Sequence, residues 1–201
     1  SVKDRPALRI LQDALKAGTL RPLQTVIERT SGNMGTGLAI ACAIHGHPLV
    51  VVMSRGNSLE RVRMLRALGA KVVLVRQVDG ALGQVTSRDL QLVERETLRL
   101  QKRLGAFRAD QFENPSTVKA HESGTGPEIW KQAGGRVDAF VSVVGSAGTF
   151  MGVVRALKRR NPRLKAYAVE PLKAAILSGK VKSPGRHKLQ GVGYAAVPAL
   201  Y

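Results

Sequence analysis

Two glycine-bearing turns constrain this chain more than any other feature, because each sits where an apolar strand gives way to a helix. They are Thr30-Ser31-Gly32-Asn33-Met34-Gly35 and Val144-Gly145-Ser146-Ala147-Gly148-Thr149. A helix that starts directly after a strand leaves its first backbone N–H groups free, and its dipole favours an anion there. Strand and helix signals alternate around both turns. Asp4 to Ala17 predicts a helix with Pro6 in its first turn, Leu8, Leu11 and Leu15 on one face, and Gly18 as its stop. Thr25 to Arg29 reads as a strand. Asn33 to His45 reads as a helix whose Gly35, Gly37, Ala39, Ala41 and Ala43 allow close packing. Leu49 to Met53 is a continuous apolar run, the pattern of a parallel strand covered on both faces. Asn57, three residues before Glu60, predicts the cap of a helix carrying Val62, Leu65 and Leu68, and Lys71 to Val75 is the next strand.

The second half repeats the pattern. Val85 to Leu104 is helical and Phe107 to Ala109 a short strand; Thr117 to Gln132 is helix interrupted by Gly124 and Gly126. Phe140 to Val144 and Ala166 to Glu170 are strands on either side of a helix from Thr149 to Arg160, and Ser178 to His187 reads as a loop. The fold class is therefore α/β with parallel sheets. At 201 residues and 44% apolar content the chain can bury a core in one or two domains. It has no apolar run of membrane-spanning length. The only cysteine, Cys42, lies on an apolar helix and cannot form an internal disulfide, so a reduced cytoplasm is the expected compartment. Thirty-two Lys and Arg against 14 Asp and Glu give a net charge of +18. These residues are dispersed and aromatics are few, so the charge reads as a solvated basic surface rather than a nucleic-acid interface. Part of it can serve anionic small ligands.

A third segment, Ser1-Val2-Lys3-Asp4-Arg5, puts a lysine at the mouth of a helix. A lysine near a glycine-rich anion cradle suggests a phosphorylated carbonyl cofactor held as a Schiff base. Taken singly, Lys3 would be a solvated terminal lysine and Asn33 a helix cap. A dinucleotide-binding reading of the strand–turn–helix ending at Glu170 fails on spacing: Gly145-x-x-Gly148 is not G-x-G-x-x-G. No zinc spacing, Walker loop or Ser-His-Asp order is present, so no metal is expected. His45, His47, His121 and His187 are scattered and read as structural or exposed.

The order and wording of the three segments resemble the fold-type II pyridoxal-phosphate enzymes, in particular the cysteine synthase and cystathionine β-synthase branch. Asp110-Gln111-Phe112-Glu113-Asn114-Pro115, Thr125-Gly126-Pro127-Glu128-Ile129-Trp130, Val169-Glu170-Pro171 and His187-Lys188-Leu189-Gln190-Gly191-Val192-Gly193 carry the likeness further. It covers nearly the whole chain apart from Asp79 to Arg103. The resemblance implies two parallel-sheet α/β domains of the tryptophan synthase β-like kind, with pyridoxal 5'-phosphate in the cleft between them. Residues 1–115 would form the smaller domain and 116–201 part of an incomplete larger one, so the chain reads as an internal fragment.

The same resemblance implies roles. Lys3 would carry the cofactor and move the substrate's α-proton, which needs a neutral amine and so a pKa lowered by burial and a helix N-terminus. Asn33 would hydrogen-bond the cofactor's ring oxygen. Gly145, Ser146, Ala147, Gly148 and Thr149 would hold the phosphate, with Gly191 completing the cofactor-binding set. Ala147 replaces a glycine there and restricts φ. Thr30, Ser31 and Gly32 would clasp the substrate carboxylate together with Gln111, whose alternative is a surface residue at a strand end. Met34 stands where the family commonly has Thr, which removes a hydroxyl from the substrate-binding set. The implied function is β-replacement on an O-activated serine, such as O-acetylserine or O-phosphoserine, by sulfide or another nucleophile, in a homodimer. A serine or threonine dehydratase and a non-catalytic remnant with a basic surface are the alternatives.

Overall fold

In the computed structural model, which describes residues 1–79, 85–181, 185, 187, 189, 191–193 and 196–201, the chain divides into two units. They are Ser1–Asp110 and Gln111–Tyr201. Residues 182–184 and 186 of the expected loop, and Lys188 and Gln190 of the motif after it, lie outside the described residues.

The first unit follows the predicted alternation. Helices α1 (Asp4–Lys16), α2 (Asn33–His45), α3 (Leu59–Ala67) and α4 (Ser87–Leu104) alternate with strands β1 (Val26–Arg29), β2 (Leu49–Ser54), β3 (Lys71–Val75) and β4 (Phe107–Arg108). The sheet order is β3-β2-β1-β4 and every pairing is parallel, with Ile27 opposite Val50 and Val51 opposite Val72. Alternation along the strands feeds two cores. Val26, Leu49, Val51 and Met53 pack with Ile10, Leu11, Leu38 and Leu65 of α1, α2 and α3. Ile27, Val50 and Val52 pack with Val93 and Leu100 of α4. All six residues of β2 are buried, as its unbroken apolar run predicts.

Two local readings change. The buried stripe of α1 is Ala7, Ile10, Leu11 and Ala14, and Leu8 is exposed. The small Ala7 faces Gly37 of α2, where an added Cβ would lie 3.0 Å from the Ala7 Cβ; close packing, not side-chain size, selects this face. Ser58, not Asn57, is the N-cap of α3, and Asn57 Nδ2 donates instead to the Ser54 carbonyl at 3.0 Å. Helix α4 opens with a reciprocal cap: the Asp89 N–H donates to Thr86 Oγ1 and the Thr86 N–H to the Asp89 carboxylate.

In the second unit, α5 (Ser116–Ala120), a π-helical turn (His121–Thr125) and α6 (Gly126–Gln132) follow without a break. The glycines expected to interrupt this helix do not. The Gly126 N–H reaches the His121 carbonyl five residues back, and Gly126 lacks a Cβ because one would lie 2.4 Å from the Ala156 Cβ. Then come β5 (Ala139–Val143), α7 (Gly148–Lys158) and β6 (Lys165–Val169). β5 and β6 pair in parallel, with Val141 opposite Tyr167. One core joins Val144, Ala147 and Phe150 to Phe140 and Ala166, and a second joins Val153, Leu157 and Leu164 to Trp130. Among the described residues, no helix is long and apolar enough to cross a membrane, and no cluster of His, Cys, Asp or Glu could hold a metal.

Candidate cofactor site

Within the first unit, α1 and α2 meet near their N-termini. An added Cβ on Gly37 would lie 2.9 Å from the Lys3 carbonyl, so the backbone of Lys3 rests on the second turn of α2. Lys3 is the N-cap of α1 and is half-buried. Loss of hydration lowers its pKa below the usual lysine value. A lysine so placed has a larger neutral, nucleophilic fraction than a solvated one.

The turn that begins α2 is built for backbone donors. Thr30 is buried, and its Oγ1 accepts the Gly32 N–H at 3.3 Å. Gly32, not Asn33, is the N-cap, and no side chain caps the helix. Asn33 is the first helical residue; it is exposed, and its amide has no hydrogen-bond partner among the described residues. Arg61 of α3 donates from Nη1 to the Ser31 carbonyl at 3.2 Å, which ties the turn down. Met34 points away: its side chain is 2% exposed and belongs to the apolar core shared by α1, α2 and α3.

Sequence reasoning missed Glu28, two residues before the turn. Its side chain is 1% exposed, on the strand face it shares with Val26. Burial pushes its pKa up to about 8, reinforced by the neighbouring Asp110 carboxylate and opposed by Arg108, the Asp110 N–H and Arg29. The Asp110 backbone that Glu28 receives has φ +50° and directly precedes Gln111. A carboxylate two residues after Val26, and so on the same face of the strand, was the available signal.

In the second unit the 145–149 turn opens α7. An added Cβ on Gly145 would lie 2.7 Å from the Gly191 carbonyl, so these two glycines, far apart in sequence, come together. Ala147 is the N-cap with φ +68°, the left-handed region that the glycine-to-alanine replacement made expensive, and its methyl cannot cap the helix. An added Cβ on Gly148 would lie 3.0 Å from Thr117 Oγ1. Ser146 is buried, and Thr149 Oγ1 lies 3.2 Å from His121 Nε2. Gln111 is buried at the head of the segment leading into α5.

These features fit a phosphorylated cofactor: in each unit a helix opens without a side-chain cap, Gly145 and Gly148 let the second turn approach Gly191 and Thr117 closely, and a desolvated lysine sits beside the α2 turn. Residues 1–199 match the profile of the family described as "Pyridoxal-phosphate dependent enzyme". "Cysteine synthase 3" of Caenorhabditis elegans is 42% identical over 199 residues, 98% of this chain and 56% of that protein. A solved O-acetylserine sulfhydrylase isoform 3 from Entamoeba histolytica is 39% identical with a TM-score of 0.88, over 100% of this chain and 57% of that one. An O-ureido-L-serine synthase structure is 38% identical with a TM-score of 0.87, over 100% of this chain and 60% of the other. The chain thus spans a little over half the length of the relatives it matches, and it belongs to the pyridoxal-phosphate dependent enzyme family.

Proposed function

We propose that this chain carries out, as part of a cysteine synthase-like enzyme, replacement of the β-substituent of an O-activated serine by sulfide or another nucleophile. The observation that carries the reading is the desolvated Lys3 at the junction of α1 with the uncapped α2, in a chain whose relatives include cysteine synthase 3. Bound pyridoxal 5'-phosphate supplies the electron sink that lets the α-carbon release its proton. Lys3 would hold the cofactor through its carbonyl carbon, and its Nζ would be the group that accepts the substrate's α-proton. The backbone N–H groups of Gly145 to Thr149, with Gly191 supporting the turn, hold the phosphate. Asn33, whose amide is exposed at the start of α2, would hydrogen-bond the cofactor's ring oxygen. The Ser31 N–H, the Thr30 and Ser31 hydroxyls and the Gln111 amide would orient the substrate carboxylate, with the Gly32 N–H holding the Thr30 hydroxyl in place. Met34, packed in the core, shapes that turn from behind.

We further propose that the smaller domain runs to residue 115, with 116–201 forming part of the larger one, and that the enzyme is a homodimer. Cytoplasmic residence is supported by the buried, unpaired Cys42, whose thiol pKa burial pushes up to about 12.

The test is borohydride reduction with added cofactor followed by peptide mapping. The adduct is expected on Lys3 and should vanish in Lys3→Ala; an adduct on another lysine refutes the assignment. Cysteine formed from O-acetylserine and sulfide supports replacement, whereas release of ammonia and a keto acid without sulfide incorporation would turn the reading to a dehydratase.

A further inference from the structure

His121 was expected to be structural or exposed, and it is 1% exposed, at the first position of the π-helical turn. Nδ1 lies 2.9 Å from Thr125 Oγ1 in the same turn, and Nε2 lies 3.2 Å from Thr149 Oγ1 on α7. Neither hydroxyl has another hydrogen-bond partner among the described residues. The imidazole cannot move far. An added Cβ on Gly152 of α7 would lie 2.7 Å from the His121 Cβ and 2.4 Å from the Val118 carbonyl, so the two helices touch backbone to backbone.

A neutral imidazole has one donor and one acceptor, which leaves two arrangements. If Thr149 donates to Nε2, its only proton is spent on the ring. If Nε2–H donates to Thr149 Oγ1, the Thr149 proton is free, and Nδ1 must accept from the Thr125 hydroxyl. Thr149 is the second residue of an 11-residue helix whose N-terminus is uncapped by any side chain, the place where a donor meets an anion.

We propose that His121 is a positioning residue: held by Thr125 with its proton on Nε2, it turns the Thr149 hydroxyl proton toward the phosphate of the cofactor. This rests on reading the 145–149 turn as the phosphate site, but not on the chemistry assigned to Lys3. It gives the π-helical turn a task, since that turn joins His121 and Thr125.

The primary test is ¹⁵N NMR of the histidine-labelled protein with saturating pyridoxal 5'-phosphate, and again with inorganic phosphate. A proton on Nε2 and none on Nδ1 is expected; a proton on Nδ1, in the neutral ring or the imidazolium, overturns the proposal. The second test is a cycle of cofactor dissociation constants read by absorbance. Thr149→Val and His121→Leu should each weaken binding about tenfold. The double variant should bind no worse than Thr149→Val, because His121 acts through that hydroxyl. His121→Gln, whose amide can donate to Thr149, should recover most of the loss. Losses that multiply in the double variant, or no rescue by Gln, overturn the proposal. If instead the Lys3 reading fails, the borohydride adduct is missing from Lys3 while the tautomer and the phosphate cycle stand.

Discussion

The two sheets of this molecule are assembled from the same strand–turn–helix unit, yet they bury their strands differently. In the first unit, helices lie on both faces and β2 is buried at all six positions. In the second unit, β5 and β6 are partly buried at every other position, and Val141 and Tyr167 on the outer face are 60% and 51% exposed. The strands themselves, Leu49–Ser54 and Ala139–Val143, are similarly apolar. Apolar composition therefore says that a strand can be buried, while the neighbouring helices decide on how many faces it is.

The sharpest way to break this comparison is to place a charge in each sheet. Val51→Asp would strand an unpaired carboxylate in a closed core and should cost more than about 3 kcal/mol, enough to remove the cooperative melt of the first unit. Val141→Asp should stay within about 0.5 kcal/mol. Circular dichroism melts of the two variants decide it, and comparable losses would mean the outer face of β5 is not solvated.

A smaller effect tests the charge that the first sheet already holds. Glu28 has its pKa raised in the fold to about 8, from an ordinary value of 4.5. The fold therefore keeps a proton that the unfolded chain gives up. The associated stability is fully present below about pH 4.5 and is lost as pH rises toward 8. Glu28→Gln is neutral throughout, so its melting temperature should fall less than that of the parent across this window. Parallel curves would mean that Glu28 is ionised in the fold. No carboxylate lies in β5 or β6, so the second sheet should contribute no such slope.

The smallest effect compares the two helix-opening turns. At Gly32 the backbone is extended and glycine is not strained, whereas Ala147 sits at φ +68°. Ala147→Gly should relieve left-handed strain of about 1–2 kcal/mol, less what glycine costs in unfolded-chain entropy. The net gain of about 0.5–1 kcal/mol would read as roughly 2–4 °C in Tm per kcal/mol. A lower Tm would show that the methyl's packing beside Val144 and Phe150 outweighs the strain.

The sequence by itself determined the order of strands and helices, both turns and the family. These are carried by local signals: runs of apolar residues, glycine punctuation, and motifs whose wording survives at about 40% identity. The site was legible to the extent that it lies in those motifs. Tertiary packing decided the rest. It selected Ala7 over Leu8 for the face of α1, gave the N-cap of α2 to Gly32, and turned Met34 into the core. It also buried Glu28 in a site that raises its pKa, carried a helix through Gly124 and Gly126, and set His121 between two threonines. Each of these depends on which distant residue comes within a few ångströms, such as Gly37 on Lys3 or Gly152 on His121. A local pattern fixes which way a residue can face; only the packed chain supplies the partner that fixes its proton, its strain and its hydrogen bond.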